Sequence, residues 1–233
     1  MYVRILLIIL LAAFPVGARA GADFQLDLAS RYIWRGFDVF HDNHPALQPS
    51  LTVGFEGSPF SINLWGSFIL ENRKDLAPLD EFDFTLMWDV YTSDRFEIET
   101  GIIHYGYYWD REFSFRTSTT QEVYLSASLS DTVFGPKLTV FYDFNQGDGV
   151  YALLEAEHSF PVGEKIGLDL WVSLGYNGGQ YIRDSGFSDL VWGASVPVRL
   201  GGFSVAPFIS GCVVFLDSIN EENEFWYGIS VGN

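Results

Sequence analysis

Apolar and polar side chains alternate along most of the chain. The stretch from Phe82 to Val90 is typical, because every second residue is apolar and Asp83, Thr85 and Asp89 lie among the residues between them. Successive side chains of a β-strand point to opposite faces, whereas a helix would repeat its apolar residues every 3.6 positions. Twelve segments predict twelve strands, most of them with one apolar and one polar face, whereas the segment from Phe203 to Leu216 is apolar on both faces.

The connections between these segments also alternate, in length. Every second connection is a short turn, and the others are longer and more polar. The shortest turns lie at residues 56–59, 92–95 and 200–202, and the longer loops at 36–45, 71–80, 107–118 and 176–186. An even number of strands with short turns at one end and longer loops at the other is typical of outer-membrane barrels.

A period of two does not decide whether the apolar face lies against lipid or in a core. A soluble β-sandwich or lipocalin-like barrel would turn that face inward. Lipid is favoured because carboxylates occupy the polar face mid-strand, aromatic residues gather near the segment ends, and the segments are long enough to cross a bilayer at a tilt. The predicted fold class is therefore all-β: a transmembrane antiparallel up-and-down β-barrel of about 12 strands.

The first twenty residues have the features of a secretory leader. A basic start precedes the apolar run from Ile5 to Val16, which is too short for a membrane helix, and Ala18-Arg19-Ala20 matches a cleavage signal. We expect residues 1–20 to be a cleaved signal peptide and residues 21–233 to form one barrel domain. The expected location is the outer membrane of a Gram-negative-type cell, with both ends of the mature chain in the periplasm.

Charge and cysteine content narrow the partners. The formal net charge is −17, and the leader contains two of the arginines and no acidic residue. Such a balance argues against nucleic acid and anionic headgroups as partners. The single cysteine, Cys212, excludes an intramolecular disulfide. The expected partners are outer-membrane lipid, small solutes and the barrel-assembly machinery.

The first segment contains two arginines within an aromatic run, Ser30-Arg31-Tyr32-Ile33-Trp34-Arg35. If the strand continues through this run, Tyr32 and Trp34 lie at the external lipid interface and both arginines point into the lumen. The first strand must close against the last. We therefore expect the two arginines to face acidic residues across that seam, namely Glu221, Glu222 and Glu224.

The polar faces together predict a lumen rich in carboxylates. The predicted pore-lining residues are Arg31, Arg35, Asp83, Asp89, Glu97, Glu99, Glu122, Glu155, Asp169, Arg199 and Glu224. An acidic lining favours cations, so the sequence predicts passive, cation-leaning diffusion of small solutes. The alternative is a lumen filled by side chains, since twelve strands lie between the eight that leave no channel and the sixteen that leave a wide one.

Two other classes of function compete with a pore. A non-conducting structural or adhesive barrel would present surface loops such as residues 109–115 to a partner. An outer-membrane hydrolase would need His and Ser together, but His104 lies on the apolar face and the chain has no Gly-x-Ser-x-Gly elbow. Residues 143–149 match a calcium loop only loosely. No catalytic, cofactor-binding or metal-binding residue is predicted.

Ser30-x-Tyr32-x-Trp34-Arg35-Gly36, followed by Pro45-Ala46-x-Gln48, resembles the TorF-type porin family of Gram-negative outer-membrane β-barrels. The close match covers about residues 28–68, and the resemblance implies a small outer-membrane pore. Outer-membrane barrels usually end on an aromatic residue, whereas this chain ends in Asn233, with Phe225, Trp226 and Tyr227 earlier in the last segment. That difference bears on recognition by the assembly machinery.

Overall fold

The computed structural model describes residues 21–40, 44–70, 80–108 and 118–233. The predicted leader at residues 1–20 and the loop predicted as adhesive at residues 109–115 lie outside the described residues. Residues 41–43 and 71–79 also lie outside them. No helix long and apolar enough to cross a membrane occurs in the described part of the chain.

Fifteen strands follow one another along the described residues. They are β1 (Ala22–Ala29), β2 (Ile33–Trp34), β3 (Phe37–Asp38), β4 (Ala46–Gly54), β5 (Phe60–Ile69), β6 (Asp80–Thr92), β7 (Phe96–Tyr108), β8 (Ser118–Leu129), β9 (Lys137–Asp143), β10 (Gly149–Pro161), β11 (Gly167–Gly178), β12 (Ser185–Ser195), β13 (Val198–Leu200), β14 (Phe203–Val214) and β15 (Glu224–Gly232).

Twelve of these strands close into an antiparallel barrel. Successive strands from β4 to β12 pair with one another, β12 pairs with β14, and β14 pairs with β15. The ring closes where β1 pairs with both β4 and β15. The short β13 pairs with β14 beside β12. The predicted fold class, an all-β transmembrane up-and-down barrel of about 12 strands, is confirmed.

The outer wall of the barrel is apolar. Leu125 is 57% exposed, and many other large apolar side chains are also exposed, including Leu28, Phe84, Leu154, Trp192 and Ile229. The polar residues between them are the less exposed ones, as Thr120, Glu122 and Ser126 show along β8. This arrangement is the reverse of a soluble β-barrel, and it is the one that surrounding lipid requires.

The connections lie at two opposite ends of the barrel. The turn end contains the connections around residues 57, 94, 133, 164 and 201. The loop end contains the connections that follow β9, β11 and β14, together with the end of β5, the start of β6, the end of β7 and the start of β8. The inward face changes along this axis. On β10, Tyr151 at the loop end is buried, Glu155 is partly exposed and Glu157 is exposed. The lumen is therefore filled near the loop end and open to solvent near the turn end.

A segment of the chain itself occupies the lumen near the loop end. After Ala29 the backbone leaves the barrel wall, and β2 and β3 form a separate two-stranded sheet. We call residues 32–40 the inner hairpin. Tyr32 and Phe40 are buried in a cluster with Ala46 and Ile69. The prediction that Tyr32 and Trp34 lie at the lipid interface is wrong, because strand one ends before them and the hairpin turns them into the lumen.

Candidate functional site

The inner hairpin has a two-residue turn at Arg35 and Gly36. Both residues have positive φ, 50° and 84°, as the favoured turn of a two-residue hairpin requires. A Cβ added to Gly36 would lie 3.1 Å from Cγ2 of Ile219 and 3.3 Å from Cβ of Asp189. Glycine therefore serves the hairpin in two ways, through its backbone freedom and through the space that it leaves beside Asp189.

Arg35 crosses the lumen and forms an ion pair with Glu122 on β8. Its Nη1 and Nη2 atoms donate to the two carboxylate oxygens of Glu122, each at 2.8 Å, and Nη1 also donates to Oε1 of Gln180 at 2.5 Å. Parallel bonds of this kind match the planar fork of a guanidinium. The side chain of Glu122 is completely buried and that of Arg35 is 9% exposed, so the pair is held away from water.

Three aromatic rings surround the same guanidinium. The Cζ atom of Arg35 lies 4.4 Å from the ring centroids of Trp34, Phe141 and Tyr151. Burial alone would lower the pKa of Arg35, but its interactions with Tyr105 and Glu122 more than offset that effect and raise the pKa. The group is therefore a permanent cation, and the rings add cation–π attraction to the ion pair.

Further hydrogen bonds hold the two wall residues that receive Arg35. Gln180 donates from Nε2 to Glu122 at 2.6 Å, and the Tyr105 hydroxyl donates to the same carboxylate at 3.0 Å. Gln180 is itself fixed by Asn177, whose Oδ1 accepts from its backbone N–H at 2.7 Å. The hydrogen bonds that position the receiving groups thus come from residues outside the hairpin.

A second contact anchors the base of the hairpin. The Tyr32 hydroxyl donates to Oε2 of Glu81 at 2.9 Å, and its ring packs against Phe40 and Trp65 with centroids 5.5 and 5.4 Å away. Burial, aided by the neighbouring carboxylates of Glu81 and Asp83, raises the pKa of Tyr32 well above its ordinary value. The phenol therefore stays protonated and remains a donor.

The arginine pairs differ in part from the sequence expectation. Arg31 pairs with Glu224 across the seam between β1 and β15, which agrees with the prediction. Arg35 pairs instead with Glu122 on the far wall, so the expectation that it faces the acidic residues of the seam is wrong. The physical reason is the inner hairpin, which carries Arg35 across the barrel. Glu221 and Glu222 are exposed.

The predicted pore-lining residues lie at different depths. Asp83, Glu122 and Glu224 are buried towards the loop end. Those nearer the turn end are partly or fully exposed: Asp89, Glu97, Glu99, Glu155, Asp169 and Arg199. Glu99 accepts a hydrogen bond from the Tyr124 hydroxyl at 2.8 Å. The structure therefore brings only some of the predicted residues together, and it adds Arg35 to the buried set.

A cavity of about 540 Å³ occupies the turn-end half of the lumen. Its lining includes the carboxylates of Asp27, Glu157 and Asp169 and the indoles of Trp171 and Trp226. Among the described residues, no group of three or more His, Cys, Asp and Glu side chains is placed to hold a metal ion. The cavity can hold solute and water, and its charged lining groups are carboxylates.

Sequence reasoning missed the partners of Arg35. Gln180, Phe141 and Tyr151 come from three different connections or strands, and no local pattern links them. The inner hairpin itself left one signal, an Arg35-Gly36 dipeptide between Trp34 and Phe37, because X-Gly between apolar residues favours a two-residue turn. The alternation continues as far as Arg35, so it predicts wall strand up to that residue and a loop from Gly36 onward.

No family model and no curated protein matches the chain. Among solved structures it is similar to one described as KdgM porin, with a TM-score of 0.60 and 10% sequence identity over 90% of this chain and 97% of that one. It is also similar to a structure of the NanC porin, with a TM-score of 0.54 and 10% identity over 91% of this chain and 98% of that one. These likenesses show the fold alone, a closed antiparallel β-barrel.

Proposed function

We propose that the protein is a narrow outer-membrane channel for the passive diffusion of small solutes, related to the TorF-type porins. The observation that carries the proposal is the open, carboxylate-lined half of the lumen inside a barrel with an apolar outer wall. The fold likeness to two proteins titled porins supports it. Export by the leader at residues 1–20, periplasmic ends and assembly by the barrel-assembly machinery belong to the same proposal.

The channel prefers cations in this proposal. Asp27, Glu157 and Asp169 line the cavity, and no Lys or Arg is among its lining residues. Carboxylates around a narrow path attract cations and repel anions. Cations line the neighbouring cavities: Lys165 and Arg199, with Glu164 and Asp169, line one of about 680 Å³ nearer the turn end, and Lys137, with Glu97, Glu155 and Glu157, lines one of about 480 Å³.

Planar-bilayer recording tests both statements. The refolded protein is placed between unequal KCl solutions, and the reversal potential is measured beside the combined variant Asp27→Asn, Glu157→Gln and Asp169→Asn. The wild type should give a potential of the sign expected for K⁺ preference, and the variant a potential nearer zero. A potential of the anion-preferring sign would contradict the cation preference but leave the channel intact.

A second candidate is a non-conducting structural barrel. The specific observation in its favour is the inner hairpin, which fills the lumen at the loop end with buried side chains. The same recording separates the two candidates. Conductance no higher than that of bare lipid, from protein shown to be folded by heat-modifiable electrophoretic mobility, would favour the structural barrel.

A further inference from the structure

The groups that receive Arg35 belong to the wall, while Arg35 belongs to the hairpin. Glu122 lies on β8, Phe141 on β9, Tyr151 on β10 and Gln180 after β11. We call these four residues the wall cradle. A bidentate carboxylate, an amide oxygen and two ring faces at 4.4 Å form the set of contacts that a planar guanidinium requires.

The hydrogen bonds that orient the cradle do not involve the hairpin, although the ring of Trp34 packs edge-on against Tyr105 with centroids 6.0 Å apart. Tyr105 and Gln180 orient the carboxylate of Glu122, and Asn177 orients Gln180, so every one of these contacts joins wall to wall or wall to loop. Tyr151 is fixed in turn by donating its hydroxyl to Asp189 at 3.0 Å. A site arranged in this way keeps its shape when its occupant leaves, which reduces the cost of binding another.

The hairpin is only loosely joined to the barrel backbone. Within the described residues, β2 and β3 pair with each other and share no ladder with a barrel strand. The strands are two residues long, and an isolated hairpin is at best marginally stable in water. The position of the hairpin tip therefore depends on contacts outside the strand ladders, among them the side-chain contacts of Trp34 and Arg35 and the packing of Gly36 against Asp189 and Ile219.

We propose that the wall cradle is a guanidinium-binding site that the protein occupies with its own Arg35, and that a guanidinium-bearing solute in the lumen takes that place and frees the hairpin tip. The ligand class is set by chemistry: a planar cation with two parallel N–H donors and faces that stack on rings. A primary amine has the charge but neither the fork nor the faces. The displacement step rests on the proposed channel function, whereas the binding step does not.

Binding is tested by calorimetry with n-propylguanidine on the full-length refolded barrel. Arg35→Ala empties the cradle, so this variant should bind the probe, and n-butylamine of equal charge should bind at least about tenfold more weakly. The double variant Arg35→Ala, Glu122→Gln should lose binding by a similar factor. The wild type should bind weakly, because the tethered Arg35 competes at high effective concentration.

Two results would overturn the site. One is an intact Arg35→Ala barrel that does not bind n-propylguanidine, and the other is equal binding of n-butylamine. Should Arg35→Ala fail to assemble, Arg35→Lys takes its place. This variant keeps the charge but loses the fork, so it should bind the probe at least about tenfold more tightly than the wild type; binding no tighter than the wild type would overturn the site.

The displacement step is tested by measuring conductance. This measurement distinguishes a failure of displacement from a failure of the proposed channel function. n-Propylguanidine should raise the conductance of the wild type in a saturable way. The conductance of Arg35→Ala, in which Arg35 no longer occupies the cradle, should be higher than that of the wild type before the probe is added and should not change when it is added. A wild-type channel that conducts but does not respond, while Arg35→Ala binds the probe, would overturn displacement and leave the cradle. Absence of conductance in both proteins would refute displacement together with the channel.

Discussion

Glu122 is the residue on which the contacts of the filled lumen converge. Its carboxylate accepts from Arg35, Gln180 and Tyr105, and its side chain has no exposed area. Removing a carboxylate and a guanidinium from water costs several kcal/mol for each ion, and only their mutual attraction and the added hydrogen bonds offset it. Loss of one partner therefore leaves the other charged and without compensation.

Replacing Glu122 by Gln is expected to destabilise the barrel by about 3 kcal/mol, the cost typical of breaking one side of a buried pair. The measurement is the free energy of unfolding in urea, followed by tryptophan fluorescence of protein in lipid vesicles. Glu157→Gln is the matched control, since Glu157 is an exposed lumen carboxylate and its loss should change little. Equal effects of the two substitutions on the free energy of unfolding would show that the ion pair of Arg35 with Glu122 does not stabilise the protein.

Gly36→Ala should destabilise the protein more than Gly57→Ala. Both glycines have positive φ, 84° and 72°, so alanine is strained at each by about 1–2 kcal/mol. Only at Gly36 would the methyl group also press on Asp189 and Ile219, whereas nothing lies within 4 Å at Gly57. Unfolding free energies of both variants, compared with the wild type, isolate that contact. Equal losses of unfolding free energy would mean that the hairpin tip moves to accommodate the methyl group at no cost.

For single residues, the sequence predicted the direction in which a side chain points better than the residue that it contacts. Alternation placed Asp83 and Glu122 on the polar face of their strands, and both are buried inside the barrel, because strand geometry fixes side-chain direction. The pairing of Arg35 with Glu122 spans 87 positions and depends on a hairpin that leaves the wall. Local periodicity contains no information on such a contact, so it could not be predicted.

The inner hairpin is the element that distinguishes this barrel from a simple tube. It consists of two strands of two residues and a turn, and it is closed at its base where the Val39 N–H donates to the Tyr32 carbonyl at 3.0 Å. Too short to be stable alone, it depends on Tyr32, Trp34 and Arg35. Its position across the lumen limits the channel at the loop end.

Removing the hairpin tip should raise single-channel conductance. Residues 33–38 are replaced by two glycines, which can join Tyr32 to Val39 because these residues are already hydrogen-bonded neighbours. Planar-bilayer recording gives the conductance. The matched control replaces residues 131–134, in an exposed turn at the opposite end, by two glycines and should leave conductance unchanged. Unchanged conductance in the hairpin variant would place the narrowest point elsewhere.

Element prediction succeeded where one pattern repeats. Eleven of the twelve wall strands alternate clearly, and the structure contains all twelve, including β14, whose sequence is apolar on both faces. The inner hairpin was missed because Tyr32 and Trp34 continue the alternation of β1, and a period of two does not tell a wall strand from a hairpin folded inside the barrel. Only the turn dipeptide distinguishes the two.

The whole molecule places its polar groups inside and its apolar groups outside. Val123 and Leu125 of β8 are exposed on the outer wall, and Glu122 and Tyr124 between them are buried. The net charge of −17 is consistent with this arrangement, because many of the carboxylates line the lumen or lie in loops. A barrel of this kind is stabilised by surrounding lipid and by the polar contacts of its interior, since the apolar cluster inside it is small in the part of the chain that the structure describes.

The contribution of lipid to stability can be measured by introducing an arginine at either of two depths in the membrane. Val123 lies at the middle of β8 on the outer wall, whereas Phe134 lies in an exposed turn at the end of the barrel. Arginine at the bilayer midplane costs about 2–4 kcal/mol and near the interface about 0–1 kcal/mol. Val123→Arg should therefore lower the free energy of unfolding in vesicles by more than Phe134→Arg does. Equal losses would contradict the depth assigned to β8, since a barrel surrounded by water would not distinguish the two positions.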